Sequence, residues 1–118
     1  SGGALGIGGG DHIVMLNNSW YSVISPENCS TILWRSWDYK ETAADSLKLT
    51  AKEMKELGLV DKIIEEPLGG AHHNTVEIFK KVKKEINLSL KSLSNLSKDK
   101  LIDQRMEKFA NMGVVKEK

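Results

Sequence analysis

Hydrophobic and polar positions fall into short blocks along the first half of the chain, each predicting one small element. Ala4, Leu5 and Ile7, entered through Gly2-Gly3, predict the start of a short buried helix. Residues 12–16 are an apolar run opened by Gly-Asp and broken by Asn17-Asn18. Residues 20–24 are a second run, rich in aromatic and β-branched side chains. Both predict short strands. Ser25-Pro26-Glu27 then has the order of a helix start: a serine cap, proline in the first turn, and an acid facing the helix dipole. Ile32, Leu33 and Trp34 are expected on its buried side, with Cys29 as a small buried hydrophobe. Residues 39–48 predict a helix with Ala43, Ala44 and Leu47 inward. Thr50-Ala51-Lys52-Glu53 is a capping box for the next helix, which Gly58 stops. Residues 60–64 predict a strand, and residues 65–74, with Pro67 and Gly69-Gly70, a loop.

The second half is helical in pattern. Asn74-Thr75-Val76-Glu77 reads as another capping box. Phe79, Val82, Ile86, Leu90 and Leu93 then recur at steps of three and four, the stripe of a long amphipathic helix. Lys80, Lys81 and Lys84 lie opposite it as a solvated face. Leu96-Ser97 caps a last helix running to about residue 109, with Leu101, Ile102 and Met106 on its apolar side, and Gly113 ends it. The charged end, residues 116–118, is expected to fray. There is no internal repeat.

Composition narrows the function. The 118 residues suit one domain, and a net charge of +1 argues against a nucleic-acid-binding domain. A single cysteine, Cys29, excludes an internal disulfide and points to a reducing, cytoplasmic setting. No apolar run reaches the roughly 20 residues of a membrane span, and no signal-peptide pattern is present. A chain opening with serine on a glycine turn suggests a piece whose upstream half is missing.

The chemistry is placed at Gly2-Gly3. Without a Cβ the backbone can come close to another molecule, and a glycine turn entering a helix can aim N–H donors at an anion or developing oxyanion. The alternative is a tight turn that serves packing alone. Gly3 to Gly8 is not a phosphate loop, since Gly9-Gly10 stand where Lys and Ser/Thr are needed, and the glycines do not match a dinucleotide fingerprint. Glu27 reads as a capping acid, and Trp20, Tyr21 and Trp34 as core. The adjacent His72 and His73 have no Cys or carboxylate at ligand spacing, so no metal site is expected. No nucleophile-base pair shows a local signature.

Four stretches in order, SGGALGIG, WYSVISPENCSTILW, LKLTAKEMKELGLVDKIIEEPLGGAH and QRMEKFANMG, resemble the C-terminal part of the carboxyltransferase alpha subunit of bacterial-type acetyl-CoA carboxylase. The resemblance implies an α/β fold of the crotonase-like (ClpP/crotonase superfamily) type, ββα turns wound into a superhelix with projecting helices. It implies a core part at residues 1–66 and C-terminal helices at 67–118. It also implies transfer of a carboxyl group from carboxybiotin, carried on biotin carboxyl carrier protein, to acetyl-CoA, giving malonyl-CoA for fatty-acid synthesis. Gly2 and Gly3 would donate backbone N–H groups to the biotin ureido oxygen, with Tyr21 and Ser25 lining the site. The implied partners are a beta subunit in an alpha2beta2 assembly, the carrier protein and biotin carboxylase, with zinc only in the beta subunit. Asn28 departs from the family, which usually has glycine there. The competing expectations are a non-catalytic module docking through the stripe of residues 79–93, and another crotonase-type acyl-CoA enzyme.

Overall fold

A computed structural model describes residues 2–113. Helix α1 (Gly2–Gly8) is followed by strand β1 (Val14–Leu16), helix α2 (Pro26–Trp34), a 3-10 turn (Trp37–Tyr39), helices α3 (Lys40–Leu47) and α4 (Ala51–Glu56), strand β2 (Lys62–Ile64), and helices α5 (Thr75–Ser94) and α6 (Lys98–Ala110). The chain is therefore mixed α/β. Strands β1 and β2 pair in parallel, Val14 opposite Lys62, Met15 opposite Ile63, and Leu16 opposite Ile64. A parallel pair needs a crossover rather than a hairpin, and α2 to α4 supply it.

Met15 points inward from β1 and meets Ala51 and Met54 of α4 and Val60, with Ile13, Tyr21, Leu59 and Ile63 packed around them. α4 is set on this core by its start signal. Thr50 Oγ1 accepts from the Glu53 N–H at 3.3 Å, and the Glu53 carboxylate accepts from the Thr50 N–H at 3.2 Å. Both legs of the expected capping box are thus formed. Ser25 also caps α2 as read, accepting from the Asn28 N–H at 3.3 Å. At Asn74 only the first leg forms. Its side chain accepts from the Glu77 N–H at 3.1 Å, but the Glu77 carboxylate turns to the Asn74 side chain rather than to its backbone.

Several expectations are corrected. Residues 20–24 are not a strand. Trp20 makes one isolated bridge to Thr50, and Ser22 Oγ bonds both the carbonyl and the N–H of Ile24, a local turn that competes with any ladder. The strand at 60–64 shrinks to Lys62–Ile64, while Val60 is buried in the core ahead of it. Helix α1 buries Ala4 alone, and Leu5 and Ile7 are 73% and 75% exposed. On α2 it is Ser30, not Ile32, Leu33 or Trp34, that is buried, because its hydroxyl reaches the Ser36 carbonyl. Trp34 instead stacks on Tyr39 with ring centroids 5.6 Å apart. Cys29 is half-buried and Trp20 exposed.

α5 forms as expected, but the residue it buries is Ile78, which is not in the expected stripe. Ile78 is 3% exposed, whereas Phe79, Ile86 and Leu90 are exposed. Farther along, Val82, Ile86, Leu90 and Leu93 face Val14, Leu16 and Ile64 across an apolar groove of about 600 Å³. Lys81 is not a free surface charge. Its Nζ donates to the Glu65 carbonyl at 3.0 Å and lies 2.7 Å from Glu77. The 65–74 loop turns at Gly69 and Gly70, whose φ of +90° and +96° lie where side chains are strained. The end expected to fray, residues 116–118, lies outside the described residues.

Candidate functional site

Glycine at positions 2, 3, 6 and 8 is poor helix material, and seven residues are too few for a helix to stand alone. α1 exists because its surroundings hold it. Ala4 is buried, and Tyr21 Oη donates to the Ala4 carbonyl. Tyr21 is itself placed by its N–H, which donates to the Leu49 carbonyl at 3.1 Å, and by the core against its ring. Gly8 completes the fit: a Cβ there would stand 2.6 Å from Tyr21 Oη. The close approach of helix to ring requires a residue with no side chain.

Gly2 and Gly3 open α1, in the turn whose N–H groups have no partner within a helix. A Cβ on Gly2 would meet nothing within 4 Å among the described residues. Packing within the described chain therefore does not demand glycine at position 2. The two other expected site residues differ in placement. Tyr21 is brought to α1 through Ala4, with its hydroxyl engaged there. Ser25 is half-buried, and its hydroxyl serves as the cap of α2.

A cleft of about 570 Å³ runs along the second half of α1, between Leu5, Gly8, Gly9, Tyr21 and Val23 on one side and Phe109 and Met112 on the other. Gly2 and Gly3 lie outside its lining.

Reading along the chain missed what joins α6 to this region. Arg105 Nε and Nη2 donate to the two carboxylate oxygens of Asp11 at 2.6 and 2.8 Å. Lys108 Nζ donates to the Asp11 carbonyl at 3.1 Å and to Asp61 Oδ2 at 2.5 Å, and Asp61 Oδ2 also accepts from the Ile13 N–H at 2.6 Å. The apolar side of α6 was expected at Leu101, Ile102 and Met106. Ile102 and Met106 are exposed, and these ion pairs hold the helix to the segment between α1 and β1. The partners are 94 and 47 residues apart, beyond the reach of any local pattern.

Arg105 beside Asp11 holds that carboxyl below its ordinary 3.8. For Asp61 burial is the largest influence and pushes upward, but the hydrogen bonds from Lys108 and the Ile13 N–H outweigh it, and the net direction is again down. A carboxyl lowered in the folded state stabilises the fold above its unfolded value. That stability is lost as pH falls through the folded value. We expect α6 to stay docked across the neutral range and to release as pH falls below about 4. Amide exchange in residues 98–110, followed against pH, measures this. Release on passing from pH 7 to pH 5 would contradict it.

Among the described residues no group of three or more His, Cys, Asp and Glu could hold a metal ion, and no helix is long and apolar enough to cross a membrane. His72 and His73 are exposed, packed beside Gly70 and Gly69 respectively.

Comparison with known proteins bears on this arrangement. A family model described as acetyl co-enzyme A carboxylase carboxyltransferase-like matches residues 1–113. A protein of Flavobacterium johnsoniae named acetyl-coenzyme A carboxylase carboxyl transferase subunit alpha is 58% identical over 99% of this chain and 37% of its own length. Proteins of the same name from Flavobacterium psychrophilum and Chlorobium phaeobacteroides are 56% and 55% identical, over 96% and 97% of this chain and 36% and 34% of theirs. The chain thus spans little more than a third of the relatives it matches. Coverage of that kind fixes the length matched and not its place within the relatives.

Proposed function

Since the chain belongs to the acetyl co-enzyme A carboxylase carboxyltransferase-like family, we propose that it is part of a carboxyltransferase alpha subunit, one that transfers a carboxyl group from carboxybiotin to acetyl-CoA and so gives malonyl-CoA for fatty-acid synthesis. The observation that carries this reading is the match over residues 1–113, which includes the glycine turn, together with relatives named as that subunit. The fold proposed with it is crotonase-like, with residues 1–66 in the core part and 67–118 as helices extending from it. The proposed setting is cytoplasmic. The proposed partners are a beta subunit that carries the zinc, in an alpha2beta2 assembly, with biotin carboxyl carrier protein and biotin carboxylase. Exposed apolar side chains on α2 and α5, including Trp34, Phe79 and Leu90, suit a chain that buries surface against further protein.

Gly2 and Gly3 are given the catalytic role. Their position at the start of α1 and the open space over Gly2 fit an anionic oxygen held by backbone donors. Carboxybiotin, when bound, supplies the carboxyl group that passes to acetyl-CoA. The two amides would hold the ureido oxygen, where negative charge gathers as that group leaves. Donors fixed beforehand favour the transition state over the ground state. Tyr21 holds α1 through Ala4 and so contributes by placing the turn. Ser25 is assigned no more than a place in the wall.

The test is decarboxylation of malonyl-CoA by the complete alpha subunit mixed with beta subunit. Turnover should require both free biotin and the beta subunit. Turnover of other acyl-CoA thioesters without biotin would instead indicate a different crotonase-type enzyme. A second reading, a non-catalytic module, draws on the exposed Phe79, Ile86 and Leu90 of α5. It would be favoured by partner binding through α5 with no turnover under any of these conditions.

A further inference from the structure

α1 is a poor helix carrying the amides on which the proposed reaction depends, and two glycines, Gly9 and Gly10, separate it from the next anchored residue. That residue is Asp11. Its carboxylate is gripped at both oxygens by Arg105, and its carbonyl is held by Lys108. Lys108 also reaches Asp61, which binds the Ile13 N–H just before β1. One face of α6 thus fixes the backbone at residues 11 and 13. The two-pronged guanidinium bond sets direction as well as distance, which a single ammonium contact does not.

We infer that Arg105, acting through Asp11 and seconded by Lys108, is the positioning residue that sets where α1 lies and hence where the Gly2 and Gly3 amides point. The inference rests on the catalytic reading of those glycines, but the placement of α1 can be measured separately. Leverage makes it consequential. Gly2 lies about 3 Å beyond the Ala4 tie, so a tilt of about 20° about that tie carries the first amide through about 1 Å. A displacement of that size, caused far from the chemistry, can lower a rate by about a hundredfold. Tyr21 holds the helix at Ala4, and the Arg105 clamp supplies the second fixed point that stops it pivoting there.

The experiment uses the assembled carboxyltransferase with Arg105→Ala, Arg105→Lys and Asp11→Asn, reading hydrogen exchange and steady-state kinetics together. In Arg105→Ala, amides of residues 2–10 should exchange about tenfold faster, while those of residues 51–64 keep their wild-type protection. Asp11→Asn should behave similarly. Arg105→Lys, keeping the charge but not the paired bonds, should lie between Arg105→Ala and wild type. In the same variants kcat should fall about tenfold or more with KM for acetyl-CoA changed less than about twofold. Unchanged exchange at residues 2–10 overturns the inference. So does an equal rise across residues 51–64, which marks general loosening. Faster local exchange without any loss of kcat upholds the placement of α1 and removes the catalytic reading of Gly2 and Gly3 instead.

Discussion

Gly2→Leu in the assembled carboxyltransferase is expected to lower kcat by about 10²- to 10³-fold, the range for loss of one fixed oxyanion donor. The substitution leaves the amide in place and fills the space in front of it. Within the described chain that space is open, since a Cβ on Gly2 meets nothing within 4 Å, so the leucine should not disturb packing. The circular dichroism spectrum and the assembly with beta subunit should therefore match wild type while biotin-dependent decarboxylation of malonyl-CoA is nearly lost. Gly2→Ala, adding one methyl group to open space, should lose much less. Activity within threefold of wild type for Gly2→Leu would end the oxyanion role, whatever the family. The contrast between side chains matters because a backbone donor cannot be deleted by ordinary mutagenesis, only obstructed.

The other large effect concerns the core that supports α1. Met54→Ala should cost about 2–5 kcal/mol of stability, read as a lowered midpoint in denaturant melts of the complete subunit. Met54 is 5% exposed, and its carbonyl accepts from the N–H groups of Leu59 and Val60 at 2.9 and 3.3 Å. Its side chain fills the space between Met15, Ala51 and Val60, with Tyr21 at the edge of the same cluster. Shortening it leaves a cavity that Met15, Ala51 and Val60 can close only in part. Because Tyr21 is the tie to Ala4, some loss of activity should accompany the loss of stability. Met54→Leu, close in volume, should cost less than about 1.5 kcal/mol. A Met54→Ala protein as stable as wild type would mean that this cluster is not the core.

Both expectations begin with local signals that a reader of the chain can find. The serine and threonine caps at Ser25 and Thr50 act within four residues. They work because an unsatisfied N–H at a helix start takes the nearest oxygen. The stripe on α5 and the run into β1 were legible for a similar reason: side-chain period follows backbone period. The proposed site was legible only as a glycine turn and a match of ordered segments. Spacing alone could not say that Tyr21 would reach Ala4, or that Gly8 is glycine for the sake of Tyr21 Oη.

Where local pattern and partner disagreed, the partner decided. Residues 20–24 have the composition of a strand, but a strand forms only beside another, and here Thr50 offers a single bridge. Ile32 and Leu33 have the spacing of a buried face, yet burial needs something to be buried against, and within the described residues they stay exposed. The order of elements, their caps and the membership in a family thus came from the amino-acid sequence itself, since each depends on neighbours a few residues apart or on identity along the chain. The docking of α6 by Arg105 and Lys108, the cleft beside α1 and the choice of which apolar faces are covered were decided by the tertiary structure alone. Charges far apart in sequence find each other only once the backbone between them has folded.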